Sequence, residues 1–227
     1  MKTTGLLKIG LGALALAVSS ASVATVLVVR ASGPSAKIYP PGKALPDSAK
    51  VKLQPGDSVM LLNTNGAKML RGPGTFAVTA SGNASSATAN RRARMSSMRS
   101  SEVPLNPSPW NVDITQSGKV CVANPSTLSL WRPIAEDPIE LTIKGGGSEQ
   151  TLAWPAGKDT ISWPTALPVA GGAEYQLSQS GSGDTARVTF VRLGSPPADT
   201  VSTAQSLIAN GCENQLDVLV EASPSVD

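Results

Sequence analysis

Apolar and polar residues alternate in short runs along most of this chain, and turn-forming clusters cut the runs. Lys50-Val51-Lys52-Leu53 puts two apolar side chains on one face and two lysines on the other, the period-two signature of a half-buried strand. Thr25 to Arg30 is an apolar, β-branched run that reads as a strand, and Ser35 to Tyr39 extends it past the Gly33-Pro34 break. Ala49 to Leu53 comes after the Pro40-Pro41-Gly42 loop, and Gln54-Pro55-Gly56-Asp57 is a turn by composition. Ser58 to Thr64 and Ala67 to Arg71 then flank Asn65-Gly66, a dipeptide suited to the positive-φ positions of a tight hairpin. Gly72-Pro73-Gly74 breaks the pattern before a last strand from Thr75 to Val78.

From residue 80 to 109 the texture changes. Ser, Ala and Asn dominate, Arg91, Arg92, Arg94 and Arg99 appear, and Pro104, Pro107 and Pro109 close the stretch. Few large apolar side chains are present to bury, so this stretch reads as a basic linker. A second β unit starts at Trp110. Its strands are expected at Trp110–Thr115, Lys119–Val122, Leu128–Trp131, Ile139–Ile143, Gln150–Trp154, Thr160–Trp163, Glu174–Ser178 and Ala186–Leu193. Short strands at this spacing suggest a sandwich or a partly open barrel.

In the tail the period shifts to that of a helix. Val201, Ala204, Leu207 and Ile208 come after Asp199, a helix-capping residue, and Gly211 stands where such a helix stops. Cys212, Leu216, Leu219 and Val220 share one face of a second short helix. The expected fold is therefore mainly β: two small β domains, at 25–79 and 110–227, with short C-terminal helices.

The first 24 residues read as a secretory signal. Lys2 and Lys8 make a positive start, Ile9 to Val18 is apolar, and Ser19-Ser20-Ala21 and Ser22-Val23-Ala24 each satisfy a small-x-small cleavage rule. The alternative is an uncleaved inner-membrane anchor, because Ile9 to Val29 carries no charge over a length that spans a bilayer. Thr25-Val26-Leu27-Val28-Val29 decides for cleavage, since this run suits a strand better than a helix end. Export to the periplasm is expected either way.

Composition removes several chemistries. The 227 residues include no histidine, which excludes a Ser-His-Asp triad, a Cys-His pair and any zinc site built on histidine. The 2 cysteines, Cys121 and Cys212, form no CxxC and are too few for a four-thiolate site. In an exported protein they read as one disulfide, tying the C-terminal helices to the second unit's sheet. Charge is segregated along the chain. Residues 25–79 hold seven Lys/Arg against two Asp/Glu, whereas residues 110–227 hold six against thirteen. The first unit and linker could dock on the second unit or on an anionic surface.

Leu53-Gln54-Pro55-Gly56-Asp57, with Asn65-Gly66 and Leu70-Arg71-Gly72-Pro73-Gly74-Thr75-Phe76, resembles the periplasmic β domain of FecR-like proteins. Leu53, Gly56 and Asp57 match the family's L-x-x-G-D turn. From Trp110 on, Leu130-Trp131-Arg132-Pro133 and Gly211-Cys212 are similar to the region C-terminal to such a domain in exported proteins of Gram-negative bacteria. FecR regulators carry a cytoplasmic segment that binds a sigma factor. About eight residues precede the apolar run here, so the resemblance implies a periplasmic β module without that signalling role.

No catalytic or metal-binding constellation stands out. Gly72-Pro73-Gly74-Thr75-Phe76-Ala77 fits a dinucleotide fingerprint in letters, but that motif must open a helix and Thr75 to Val78 reads as strand. Trp110, Trp131, Trp154 and Trp163 would suit a sugar-stacking platform, yet with only 2 Phe and 2 Tyr in the chain they are expected in the core. The adjacent carboxylates Glu136 and Asp137, and Asp184, match no calcium loop. Arg91, Arg92, Arg94 and Arg99 lack the interleaved aromatics of a nucleic-acid site and remain candidates for an anionic surface. The expectation is a non-enzymatic periplasmic interaction or envelope-assembly module without cofactor, whose partner is an envelope protein or assembly. The alternatives are a glycan-binding protein that uses exposed tryptophans and, third, a hydrolase that works through carboxylates or a Ser-Lys pair.

Overall fold

The computed structural model describes residues 25–79 and 104–226. The N-terminal segment read as a secretory signal, and Arg91, Arg92, Arg94 and Arg99, lie outside the described residues.

The first β unit contains β1 (Thr25–Ser32), β2 (Ala44–Pro46), β3 (Lys50–Leu53), β4 (Ser58–Asn63), β5 (Gly66–Arg71) and β6 (Gly74–Ala77). An antiparallel sheet in the order β2-β1-β4-β5 covers the antiparallel pair β3-β6. Val26, Val28, Val51, Leu53, Val59, Leu61 and Leu70 fill the space between them. β1 is buried on both faces: Val26 and Val28 point into this core, while Leu27 and Val29 point away into another. A strand covered on both sides must be apolar throughout, which explains the unbroken Val-Leu-Val-Val run. Thr25 to Val29 forms a strand, as the β-branched run leads one to expect. No helix among the described residues is long and apolar enough to cross a membrane.

Two local expectations need correction. Ser35 to Tyr39 does not extend β1; Pro34–Lys37 is a 3-10 turn. Proline fits the first turn of a helix, and the Ser35 N–H donates to the Asp57 carboxylate at 2.9 Å. The β4–β5 hairpin pairs Asn63 with Gly66, so its turn is Thr64-Asn65 and not Asn65-Gly66. The Asn63 side chain accepts from the Asn65 and Gly66 N–H groups at 2.8 and 3.0 Å, and this holds the turn one residue early. Gly66 is required for another reason: a Cβ there would collide with the Pro224 carbonyl, because the tail crosses β5 at this point.

Asp57 explains the L-x-x-G-D turn. Its carboxylate accepts from Ser35 and, at 2.5 Å, from the Gln54 N–H, so it ties the turn after β3 to the turn after β1. Burial works to raise its pKa, but the hydrogen bonds from Ser35 and Gln54 outweigh burial and hold the carboxyl below its ordinary value. Its stabilising effect is therefore present above the unfolded-state pKa of about 3.9 and is lost as pH falls through the folded value. Asp57→Asn is expected to be less stable than the parent at neutral pH, with the gap narrowing below pH ~4. Urea midpoints across pH check this; parallel curves would deny Asp57 the role.

The second unit contains β7 (Asn111–Asp113), β8 (Gly118–Val122), β9 (Ser129–Trp131), β10 (Ile139–Gly145), β11 (Ser148–Trp154), β12 (Thr160–Ser162), β13 (Glu174–Gln179) and β14 (Thr185–Arg192). Its larger sheet runs β11-β10-β13-β14-β8, with β8 parallel to β14, and the smaller runs β12-β9-β7. Leu130, Leu141, Ile143, Trp154, Trp163, Tyr175, Leu177, Val188 and Phe190 belong to the buried core of this sandwich. Trp163 meets Tyr175 and Phe190 edge-on at 5.2 and 5.0 Å, a geometry aromatic rings favour.

Two helices end the fold, α1 (Thr200–Asn210) and α2 (Glu213–Ala222). Asp199 caps α1 by accepting from the Ser202 N–H at 2.8 Å while the Ser202 hydroxyl accepts from the Asp199 N–H, and Gly211 ends the helix in the left-handed conformation. These helices form a third core that the two β units share. Leu27, Val29 and Leu62 come from the first unit, Cys121 from β8, and Ala204, Leu207, Cys212, Leu216 and Val220 from the helices. Arg30 of β1 pairs with Asp217 of α2 across the same junction. Beyond α2 the chain returns to the first unit, where the Ala67 N–H donates to the Pro224 carbonyl at 2.8 Å and the Val226 N–H to the Ala67 carbonyl at 3.0 Å.

Candidate functional site

A buried polar cluster lies where α2 meets the edge of β8. Cys121 and Cys212 are bonded there, with Cα atoms 5.9 Å apart, in the pairing the sequence leads one to expect. Both are fully buried. Beside them Gln215, buried at 4% exposure, acts in place of a neighbouring strand. Its Oε1 accepts from the Cys121 N–H at 2.6 Å, and its Nε2 donates to the carbonyls of Cys121 and Pro109 at 2.9 and 2.6 Å. Asn214 donates to the Ser117 carbonyl at 3.0 Å. Two helix carboxamides thus close a sheet edge that would otherwise expose peptide groups. Gln215→Ala leaves those buried groups unsatisfied and should cost about 2–3 kcal/mol by denaturant unfolding. A change within about 0.5 kcal/mol would show that water replaces the carboxamide.

An open cleft of about 210 Å³ runs alongside, lined by residues that include Asn106, Asn111, Asp113, Lys119, Asn214 and Glu221. Asn106, in the segment read as linker, is buried and accepts from the Asn111 side chain at 3.0 Å, so residues ahead of Trp110 belong to this surface. Burial raises the Asp113 pKa, and hydrogen bonds from the Thr115 hydroxyl and N–H offset part of the rise. The cleft offers amide donors and acceptors with carboxylates among its lining residues, which suits a polar ligand. No group of three or more potential metal ligands occurs among the described residues. No local signal points to this cleft, because its residues come from segments about a hundred positions apart, joined by the helix packing.

The other expected candidates resolve into structural roles or stay apart. Trp131, Trp154 and Trp163 are buried, and Trp110 packs half-buried against the shared core, so the tryptophans form no stacking platform. Gly74 to Ala77 is strand β6 and opens no helix, as the strand reading of that motif required. Glu136, Asp137 and Asp184 are exposed loop residues. Arg132, which the sequence showed only as part of a resemblance, is buried at 2% exposure. Its guanidinium donates to the carbonyls of Lys158, Asp137, Ala135 and Pro155 and lies 5.1 Å from the Trp154 ring centre. Burial lowers its pKa, and the nearby Asp137 charge works in the opposite direction. It holds together the loops after β9 and β11.

No protein-family model, curated protein or solved structure matches this chain.

Proposed function

We propose that this chain is a non-enzymatic interaction or assembly module of the bacterial envelope, exported to the periplasm, with a FecR-like first β unit. The supporting observation is the buried Cys121–Cys212 disulfide at the centre of the helix junction. A bond so placed is made and kept in an oxidising compartment. The buried polar side chains of Asp57, Arg132 and Gln215 are engaged in holding backbone. Such use of polar groups fits a rigid body that presents surfaces to a partner better than it fits a reaction centre. The basic segment with Arg91, Arg92, Arg94 and Arg99 supplies an anionic-surface contact in this reading.

The test is made in cells. Fractionation should place the mature form in the periplasmic extract, with both sulfurs joined in non-reduced peptide maps. Photocrosslinkers at exposed positions of the second unit should then trap one envelope protein reproducibly. A cytosolic, fully reduced product would end the proposal. A second reading, binding of an envelope glycan, rests on the carboxamide-lined cleft beside α2. It requires protection of Asn111 and Lys119 from exchange when glycan fragments are added.

A further inference from the structure

Sheet edges are where folded chains recruit other strands, and here the other edges are short or partly covered. The tail bonds Ala67 near the start of β5, and Gln215 takes up the outward peptide groups of Cys121 on β8. β2, β7 and β12 are three residues long, and β3 and β6 four. β11 differs: it has seven residues, pairs only with β10 among the described residues, and contains no proline. Its register fixes which peptide groups are open. On β10 the Glu140 carbonyl accepts from the Ser180 N–H, and the Glu140 N–H donates to the Ser180 hydroxyl, both on the β13 side. The residue opposite Glu140 is Ala153, so its peptide groups face outward, as do those of Thr151 and Glu149 by alternation. All three side chains are exposed.

We propose that β11 pairs antiparallel with β11 of a second copy of this chain, about a two-fold axis at Thr151, joining two five-stranded sheets into one. The row through the axis would read Thr142, Thr151, then Thr151 and Thr142 of the second copy. Thr142 and Thr151 already lie hydroxyl to hydroxyl at 3.3 Å, and threonine neighbours across strands are favourable. In the flanking rows Glu149 faces Ala153 of the other copy. The carboxylate at this edge, itself paired to Lys144 at 3.6 Å, therefore meets a methyl group and no like charge. Each copy presents the peptide groups of three residues outward, enough for a self-complementary ladder. The pairing needs no particular compartment and stands independently of the periplasmic reading.

Sedimentation of the purified, oxidised protein up to about 1 mM should show a monomer–dimer equilibrium. Thr151→Pro removes an outward N–H without touching the β10 ladder, and Ala153→Glu sets carboxylate against carboxylate. Each should weaken the dimer by at least about tenfold while the circular dichroism spectrum stays that of the parent. Thr151→Cys should cross-link the dimer under oxidation and Ser148→Cys should not. The peptide partners at the axis lie about 5.5 Å apart, within disulfide reach, and the described residues contain no other free thiol. A parent that stays monomeric throughout overturns the proposal, as does a dimer indifferent to both edge variants.

Discussion

Replacing both Cys121 and Cys212 by alanine is expected to lower the unfolding free energy by about 4–5 kcal/mol. The bond spans 91 positions, so its removal frees a large loop in the unfolded chain and destabilises the fold by that entropy. The effect should also have a location. Cys212 is the residue before α2, and Cys121 lies on the strand that Gln215 covers. Hydrogen exchange should therefore rise first at the Cys121 amide and along α2, ahead of the Trp163–Tyr175–Phe190 core. Urea unfolding of parent and double variant decides the matter. Stabilities that differ by less than about 1 kcal/mol would mean that helix packing alone holds the tail.

Leu207→Ala carries the second large effect. Leu207 is fully buried in the core that α1, α2, β1, β4 and β8 share. Truncating such a leucine costs about 2.7–5 kcal/mol, the range set by how far the cavity collapses. The variant is expected to loosen both β units together, because Leu27 and Leu62 of the first unit and Cys121 of the second pack in the same cluster. Amide exchange read residue by residue would show faster opening at Leu27 and Leu62 as well as in α1. Protection of Leu27 at the parental level would mean that the first unit stands without the helices.

Much of this architecture can be read from local patterns. Alternation in Lys50-Val51-Lys52-Leu53, the Asp199 cap and the Gly211 stop each depend on neighbours a few residues away, and each forms where expected. The disulfide was legible because two cysteines allow one intramolecular pairing. What the pattern hides is long-range. Gly66 answers to a tail far along the chain, whereas the shift of the hairpin turn is a local exception, set by the Asn63 side chain in competition with the Asn-Gly signal. β2, three residues ending in a proline, carries too little pattern to be seen. The polar cleft and the role of Gln215 arise only once α2 is laid on β8, and a lone glutamine in an amphipathic helix looks like surface. Arg132 is the converse case: its partners are backbone carbonyls, which no sequence displays.

β1 is made early and finished late. Its inner face finds partners within the next few dozen residues, in β3 and β4, but Leu27 and Val29 are covered by α1 and α2 near the other end of the chain. During synthesis an apolar sheet face therefore stands bare until residues 200–222 have been made, a long-range closure of the kind that slows folding and invites misassembly. A chain stopped before Thr200 keeps that face uncovered. A holding chaperone would find its binding stripe there, released when α1 and α2 arrive.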